Sequence, residues 1–233
     1  MNERIVHIRY LYFQWQGHTP PVLDIADLAV VRGERVFIRG PSGSGKTTLL
    51  NLLAGVLTPS SGIVEVLQTD IGRLGGAERD MFRADHIGFV FQMFNLIPYL
   101  NLVENVILPC TFSQKRKAQV EQGGTTVADE ARRLLSRLKL DHADFASRSI
   151  SQLSVGQQQR VAVARALIGR PELIICDEPT SALDSEARQS FIDLLFQEIV
   201  EAGATLIFVS HDSSLANSFD RTINLPEINR GMA

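Results

Sequence analysis

Residues 40–48 have the types and spacing that bind phosphate. They read G-x-x-x-x-G-K-T-T, follow the apolar residues 36–38 and lead into a leucine-rich stretch, so we expect a strand, a turn and a helix in that order. Glycines lack side chains, so successive backbone N–H groups can converge on phosphate oxygens, and the helix directs the positive end of its dipole at the same anion. The alternative is an ordinary glycine-rich turn, which the complete spacing in this context disfavours.

This phosphate loop (residues 40–48) predicts a site for a nucleoside triphosphate and Mg²⁺. Lys46 is expected to reach the β- and γ-phosphates as a point charge, and the Thr47 hydroxyl is the expected ligand of Mg²⁺. The residues predicted to contact the nucleotide are Gly40, Pro41, Ser42, Gly43, Ser44, Gly45, Lys46, Thr47 and Thr48.

Polar residues also follow three other apolar runs, at the points where predicted strands end. They are Gln92 after residues 87–91, Asp177 and Glu178 after residues 173–176, and His211 after residues 206–209. The carboxyl ends of parallel strands meet at one edge of a sheet, so we expect these side chains to converge with the phosphate loop.

The two adjacent carboxylates predict hydrolysis of the bound nucleotide. Asp177 ends an apolar strand and is expected to hold Mg²⁺ through water. Glu178 is then placed to accept a proton from the water that attacks the γ-phosphate, the step in which a general base contributes about 10²–10⁴-fold. Without the phosphate loop, a solvated strand end would be the better interpretation of these two residues.

Strands alternate with helices along the chain, which predicts an α/β fold with a mainly parallel sheet. Residues 5–15 and 22–31 read as strands of an antiparallel N-terminal part. Residues 93–160 are predicted to form a helical subdomain nested within a single domain that spans residues 1–233. Within it, a capping box is expected to begin a helix at residue 154, and the basic cluster 115–117 is interpreted as a solvated helix face.

Composition limits the class of protein and its partners. The chain has 233 residues, 45% hydrophobic and 21% charged, with a net charge of −3, which disfavours nucleic acid as a main partner. Cys110 and Cys176 are far apart and are expected to be buried thiols of a reducing compartment. We find no signal peptide or membrane-spanning run and expect a soluble, cytosolic chain, which leaves a membrane partner open.

Six groups of residues together resemble an ATP-binding cassette ATPase, in the order and approximate spacing of that family. They are residues 40–48, Gln92, 153–157, 177–179, 181–184 and His211. The resemblance covers nearly the whole chain. It implies a P-loop NTPase fold of the cassette type, with ATP and Mg²⁺ bound and a second copy of the chain completing each site.

The resemblance also implies how two copies share a nucleotide. Ser154, Gly156 and Gln157 match the cassette signature, which binds the γ-phosphate of ATP held on the opposite subunit. Asp184 matches the loop that links the two sites across the dimer. Val155 stands where the family pattern has its first glycine, and its β-branched side chain is expected to weaken or slow this trans site.

Other positions are assigned by the same resemblance. His211 matches the switch histidine that contacts the γ-phosphate and orients Glu178. Gln92 matches the glutamine that reaches Mg²⁺ and couples to transmembrane partners. An aromatic residue early in the chain stacks on adenine in the family, and Trp15 is the expected residue, with Phe13 as the alternative.

Residues 90–98 and 104–106 look like those of the lipoprotein-release and macrolide-exporter group. The implied function is an ATP-hydrolysing homodimer, peripheral on the inner face of the cell membrane, that drives a separate permease by mechanotransmission. The alternative is a cell-division-type complex, which does not transport but regulates an extracytoplasmic enzyme. A soluble cassette of DNA repair or translation fits less well. In this family the permease, and not the ATPase subunit, sets the transported molecule and its direction.

Overall fold

The computed structural model describes residues 3–17, 20–140, 150–181, 183 and 185–232. It divides into two units, one formed by Met1–Arg83 with Thr205–Ala233 and the other by Ala84–Ala204. In chain order the helices and strands are β1 (Arg4–Phe13), β2 (Leu23–Val31), β3 (Arg35–Arg39), α1 (Lys46–Leu53), β4 (Ser61–Val66), β5 (Thr69–Asp70), α2 (Gly76–His86), β6 (Ile87–Val90), α3 (Leu102–Phe112), α4 (Gln114–Gln122), α5 (Val127–Arg137), α6 (Val155–Leu167), β7 (Leu173–Asp177), α7 (Ser185–Ala202), β8 (Thr205–Val209), β9 (Arg221–Asn224) and α8 (Leu225–Ile228).

The first unit contains an antiparallel sheet with the strand order β2-β1-β4-β5. Apolar residues alternate along these strands, and the register places Ile8 of β1 opposite both Leu28 of β2 and Val64 of β4. All three side chains are buried, each contributing about 1.5–3 kcal/mol when removed fully from water. The antiparallel N-terminal part predicted from the sequence is therefore confirmed.

Parallel strands of the first unit support the phosphate loop. β3 pairs in parallel with both β8 and β9. Phe37 of β3 packs against Phe208 and Phe219, with ring centroids 6.2 and 5.1 Å away. Continuous apolar sequence is typical of strands covered on both faces, and every residue of β8 is buried.

The second unit joins two parallel strands to a set of helices. β6 and β7 pair in parallel, with Val90 opposite Cys176, and all of β7 is buried. Helix α5 buries Ala131, Leu134 and Leu135, as the helical spacing predicts. The described part of residues 93–160 contributes α3, α4, α5 and the first six residues of α6.

The interpretation of residues 115–117 as a solvated helix face is wrong for Arg116. That side chain is 1% exposed, and its guanidinium donates hydrogen bonds to the carbonyl oxygens of Ile87 (2.6 Å), Ile168 (3.1 Å) and Ala166 (3.3 Å). A charged group can be buried when its donors meet acceptors from several elements. The basic cluster 115–117 therefore contains a buried cation, Arg116, that joins α4 to β6 and to the end of α6.

The other compositional expectations concern thiols and membrane spans. Cys110 and Cys176 are both free and buried, and burial raises the pKa of both thiols. In the part of the chain that the structure describes, no helix is long and apolar enough to cross a membrane.

Candidate functional site

The phosphate loop has the backbone that its glycines predict. Gly43 and Gly45 have φ angles of +81° and +91°, in the left-handed region that residues with side chains rarely adopt. A methyl group on Gly45 would lie 2.8 Å from Leu23 Cδ2 and 3.2 Å from the Val22 carbonyl oxygen. Both the conformation and the close approach therefore require glycine at this position.

The Lys46 side chain folds back onto the first residues of the phosphate loop. It is 7% exposed, and its ammonium donates to the carbonyl oxygens of Gly40 (2.8 Å) and Pro41 (2.9 Å). An ammonium has three donors, so a third remains for an anion. Helix α1 begins at Lys46, and its N-cap Gly45 offers no side-chain hydrogen bond, so the fixed cation and the helix dipole both favour a phosphate here.

Gly45→Ala is expected to weaken nucleotide binding by the phosphate loop. The added methyl group is incompatible with the φ of +91° and with the packing of Leu23, so the loop must rearrange at a cost of roughly 1–3 kcal/mol. We expect ATP affinity to fall about tenfold or more, measured by titration with a fluorescent nucleotide. Gly17→Ala is the matched control, because a methyl group on Gly17 meets nothing within 4 Å although its φ is +77°.

His211 lies at the same end of the parallel strands as the phosphate loop. Ile38 and Val209 are opposite each other in the β3–β8 register, so the residues that follow both strands leave the sheet at one edge. The imidazole is exposed, and the turn after it is fixed by Asp212, whose carboxylate accepts from the Ser214 N–H at 3.0 Å. The first unit therefore brings together two of the predicted groups.

Gln92, Asp177 and Glu178 lie at one edge of the parallel pair in the second unit. Since Val90 is opposite Cys176, Gln92 and Glu178 are each two residues beyond that register position. Asp177 is 6% exposed, whereas Glu178 is half-buried and has a φ of +46°. A non-glycine residue in this region carries strain, which clusters at functional sites.

Gln159 is a positioning residue that the sequence analysis missed. Its side chain is fully buried in α6, and its amide donates to the carbonyl oxygen of Pro179 at 2.6 Å. That bond holds the turn directly after Glu178. The available signal was a polar residue on the apolar face of a helix, between Gly156 and Val161.

The signature segment begins α6 with the predicted capping box. The Ser154 hydroxyl accepts from the Gln157 N–H (3.3 Å), and the Gln157 side chain accepts from the Ser154 N–H (2.9 Å). Val155 is 46% exposed, and a methyl group on Gly156 would make only an ordinary contact, 3.5 Å from Leu183. The Val155 side chain thus fits at the beginning of α6 in this chain. The weakening expected from it would act on a ligand or partner that binds at this helix terminus.

Trp15 and Phe13 differ in how much of each ring is open. The two rings meet edge to face, with centroids 5.0 Å apart, but Phe13 is 5% exposed and Trp15 44%. Stacking on adenine needs a free ring face, so this arrangement favours Trp15. Asp184, the remaining predicted position, lies outside the described residues.

The predicted nucleotide and metal positions are distributed over both units. The phosphate loop, Trp15 and His211 belong to the first unit, and Gln92, the signature segment, Asp177 and Glu178 belong to the second. Among the described residues, no group of three or more His, Cys, Asp or Glu side chains could hold a metal ion. Mg²⁺ commonly takes one or two carboxylates together with substrate phosphates, and Asp177 in the second unit and Thr47 in the first each offer an oxygen donor.

Comparison with known proteins gives matches over most of the chain. The family described as ABC transporter matches residues 23–181. The uncharacterized ABC transporter ATP-binding protein YbbA of Escherichia coli strain K12 is 42% identical over 229 residues, covering 96% of this chain and 95% of that protein.

Two further relatives are named for the transport systems to which they belong. The lipoprotein-releasing system ATP-binding protein LolD of Novosphingobium aromaticivorans is 38% identical over 235 residues, covering 97% of this chain and 98% of LolD. The macrolide export ATP-binding/permease protein MacB of Rhodopirellula baltica is 38% identical over 214 residues, which are 90% of this chain but 30% of MacB.

A solved structure shares the fold. It is a dimeric post-hydrolysis state of the ATP-binding cassette MJ0796, from Methanocaldococcus jannaschii, bound to ADP and Pi. The TM-score is 0.83 at 36% sequence identity, covering 97% of this chain and 95% of that chain. The fold class predicted from the sequence is the fold of this cassette.

Proposed function

This chain belongs to the ABC transporter family, in the group of LolD-like and MacB-like ATP-binding proteins, and from that premise we propose that it acts as a homodimer on a separate membrane permease. It is an ATP-binding and ATP-hydrolysing subunit. One observation carries the proposal: each chain has one phosphate loop and one serine-capped signature helix. Because the signature of this family serves ATP on the opposite subunit, two copies are needed to complete two sites.

The two helix termini explain why ATP would hold the copies together. The N-terminus of α1 with Lys46 binds the phosphates on one copy. The N-terminus of α6, which is 13 residues long and carries no acidic residue in its first turn, presents a second positive dipole end to the γ-phosphate from the other copy. The γ-phosphate then lies between two electropositive ends, and its loss removes that link.

Each polar group of the site has a separate role in the hydrolysis of ATP. Water attacks the γ-phosphorus, the bond to the bridging oxygen of ADP breaks, and Glu178 accepts the proton of the water. His211 contacts the γ-phosphate and orients Glu178, and Lys46 balances charge on the phosphates. Mg²⁺, held by Thr47, Asp177 and Gln92, would supply further charge neutralisation. Trp15 stacks on adenine, and Asp184 links the two sites of the dimer.

The residues after Gln92 are the proposed contact with the permease. Met93 and Tyr99 are 82% and 84% exposed, and methionine and aromatic residues are enriched at protein interfaces. Helices α3, α4 and α5 follow them and support our assignment of residues 93–160 to a helical subdomain within one domain.

The driving force of the complex comes from a difference in affinity. ATP binds the closed dimer more tightly than the open one, and hydrolysis reverses that preference, so the cycle moves the attached permease. We propose that this motion serves export or lipoprotein release and that the dimer is bound to the inner face of the cell membrane. Mechanotransmission requires no channel for cargo in this chain.

Affinity purification from detergent-solubilised membranes tests the proposed partner. We expect the chain to recover a permease with a large extracytoplasmic domain. Tyr99→Glu should lower that recovery about tenfold or more, because a charge would be placed in an apolar contact. Phe112→Glu is the control, since Phe112 is also exposed, at 70%, but lies outside the proposed contact.

The identity of the recovered protein separates the possible complexes. Recovery with ribosomes or DNA contradicts the permease proposal. Recovery of a permease together with an extracytoplasmic enzyme indicates the cell-division-type complex instead. Equal losses with Tyr99→Glu and Phe112→Glu would show that the contact lies elsewhere on the surface.

A further inference from the structure

Asn229, just after α8, is a polar residue with a buried amide. It is 4% exposed, and its side-chain oxygen accepts from the N–H groups of Asp24 (2.8 Å) and Gly231 (3.1 Å). Its side-chain nitrogen donates to the carbonyl oxygens of Val22 (2.9 Å) and, at a longer distance, Ser44 (3.5 Å). An asparagine amide has two donors and two principal acceptor positions, so all of them are used.

The partners also fix which way the amide points. The oxygen faces two backbone donors and the nitrogen faces two backbone acceptors, so the flipped amide would place donors against donors and acceptors against acceptors. This site is therefore complementary to asparagine in one orientation.

Two of these bonds end at or beside the phosphate loop. Ser44 belongs to the loop, two residues before Lys46. The Val22 carbonyl oxygen lies 3.2 Å from the position of a methyl group on Gly45, so the backbone of Val22 lies directly against the loop. Nearby, Pro226 approaches Gly40, whose added methyl group would lie 3.2 Å from Pro226 Cδ.

Ser44 has few hydrogen bonds of its own among the described residues. The Ser44 hydroxyl is buried and has no hydrogen-bond partner among the described residues, and its N–H donates within the loop to the Pro41 carbonyl oxygen at 3.2 Å. A phosphate site gains affinity when its N–H groups are held in the binding geometry before the ligand arrives. When Asn229 holds the carbonyl oxygen of Ser44, the N–H groups of the loop can face the anion.

We propose that Asn229 is a positioning residue for ATP binding, which holds the phosphate loop to the beginning of β2 through the C-terminal segment 225–232. Asn229 does not contact nucleotide and acts through the backbone of Val22 and Ser44. The inference rests on ATP being the ligand of the phosphate loop. Asn229 lies outside all of the motifs described in the sequence.

Nucleotide affinity is the measurement that tests this role. Asn229→Ala should raise the Kd of ATP and of ADP about tenfold, because the loop loses part of its preorganised geometry. In steady-state hydrolysis, KM should rise more than kcat falls. Binding is measured with a fluorescent nucleotide at a temperature where circular dichroism shows the variant to be folded.

Two further variants separate positioning from stability. Asn229→Asp keeps the acceptor for Asp24 and Gly231 but turns an oxygen toward the carbonyls of Val22 and Ser44, so we expect the same loss of affinity in a folded protein. Asn224→Ala is the matched control in the same segment, because the Asn224 amide donates to Glu227 at 2.6 Å and should leave the Kd unchanged.

The outcomes distinguish this inference from the proposed function. If the wild-type chain does not bind ATP, the function of the phosphate loop is wrong. If the wild type binds ATP and both folded Asn229 variants bind it within twofold of the wild type, Asn229 only stabilises the fold and the inference is overturned. Asn229→Asp decides the question alone if Asn229→Ala does not fold.

Discussion

Glu178→Gln lowers the rate of ATP hydrolysis about 10²–10⁴-fold while ATP still binds. Glutamine has nearly the same shape as glutamate but cannot accept the proton of the attacking water. The position is well fixed, since Glu178 follows the buried Asp177, has a φ of +46° and precedes a turn held by Gln159. The measurement is kcat at saturating Mg-ATP, with the Kd of ATP determined on the same preparation.

A carboxylate outside the site provides the control for that experiment. Glu121 is exposed on α4, and within the described part of the chain its carboxylate forms a long ion pair of 3.8 Å with Lys117, so Glu121→Gln should hydrolyse ATP at the wild-type rate. Wild-type turnover by Glu178→Gln would exclude Glu178 as the general base, and the protein would then need another acceptor for the proton.

The same variant should accumulate as an ATP-dependent dimer on size-exclusion chromatography. When the γ-phosphate is not removed, the link between the phosphate loop and the signature helix persists. If Glu178→Gln stays monomeric, Val155→Gly in the same background identifies the reason, because the partly exposed Val155 stands at the terminus that receives the phosphate. Dimerisation of the double variant would show that Val155 weakens this contact. A double variant that remains monomeric indicates that the permease is needed for assembly.

Local features of the fold and of the candidate site could be predicted because neighbouring residues determine them. The phosphate loop contains its own glycines, and the capping box of Ser154 and Gln157 spans four consecutive residues. Apolar continuity marked β7 and β8 as buried strands. In each of these cases the physical cause lies within a few residues of its effect.

Groups that act over long distances in the sequence were not predictable in this way. Three hydrogen-bond partners of Asn229 lie 185, 205 and 207 positions earlier in the sequence. Gln159 donates to Pro179, which lies 20 positions later. An amide in a sequence does not reveal which backbone groups will need it after folding. Arg116 is the clearest case, because its neighbours Lys115 and Lys117 made the segment read as surface.

Arg116→Met is expected to lower the free energy of unfolding by about 3–5 kcal/mol, because three buried carbonyl oxygens each lose a hydrogen bond from a charged donor, at roughly 1–3 kcal/mol per group. Burial lowers the pKa of Arg116 to about 10, so the side chain remains a cation at neutral pH. Its guanidinium donates to three carbonyl oxygens, of Ile87, Ala166 and Ile168. Methionine fills much of the same space but removes the charged donor from all three acceptors.

Packing around Arg116 makes a simple rearrangement costly. Gly169 has a φ of +71°, and a methyl group there would lie 2.4 Å from Arg116 Cβ, so the backbone of α4 lies closely against the turn after α6. Beside it, Lys115 and His86 bond to Glu172 at 2.6 and 3.1 Å. Burial alone would raise the pKa of Glu172, but these two hydrogen bonds, together with a backbone hydrogen bond and the charge of His86, lower the pKa to about 2.

Thermal unfolding measures the effect, with Lys117→Met as the matched control on the same helix. For a chain of this length, a loss of 3 kcal/mol corresponds to a fall in Tm of about 6–12 °C. Lys117 has a side chain that is 47% exposed, so its replacement should change stability by about 0.5 kcal/mol or less. Equal shifts for the two variants would contradict the role of Arg116. A larger shift for Arg116→Met, only partly restored by Arg116→Lys, would support it, because a single ammonium cannot reproduce the planar set of donors that joins β6 to the end of α6.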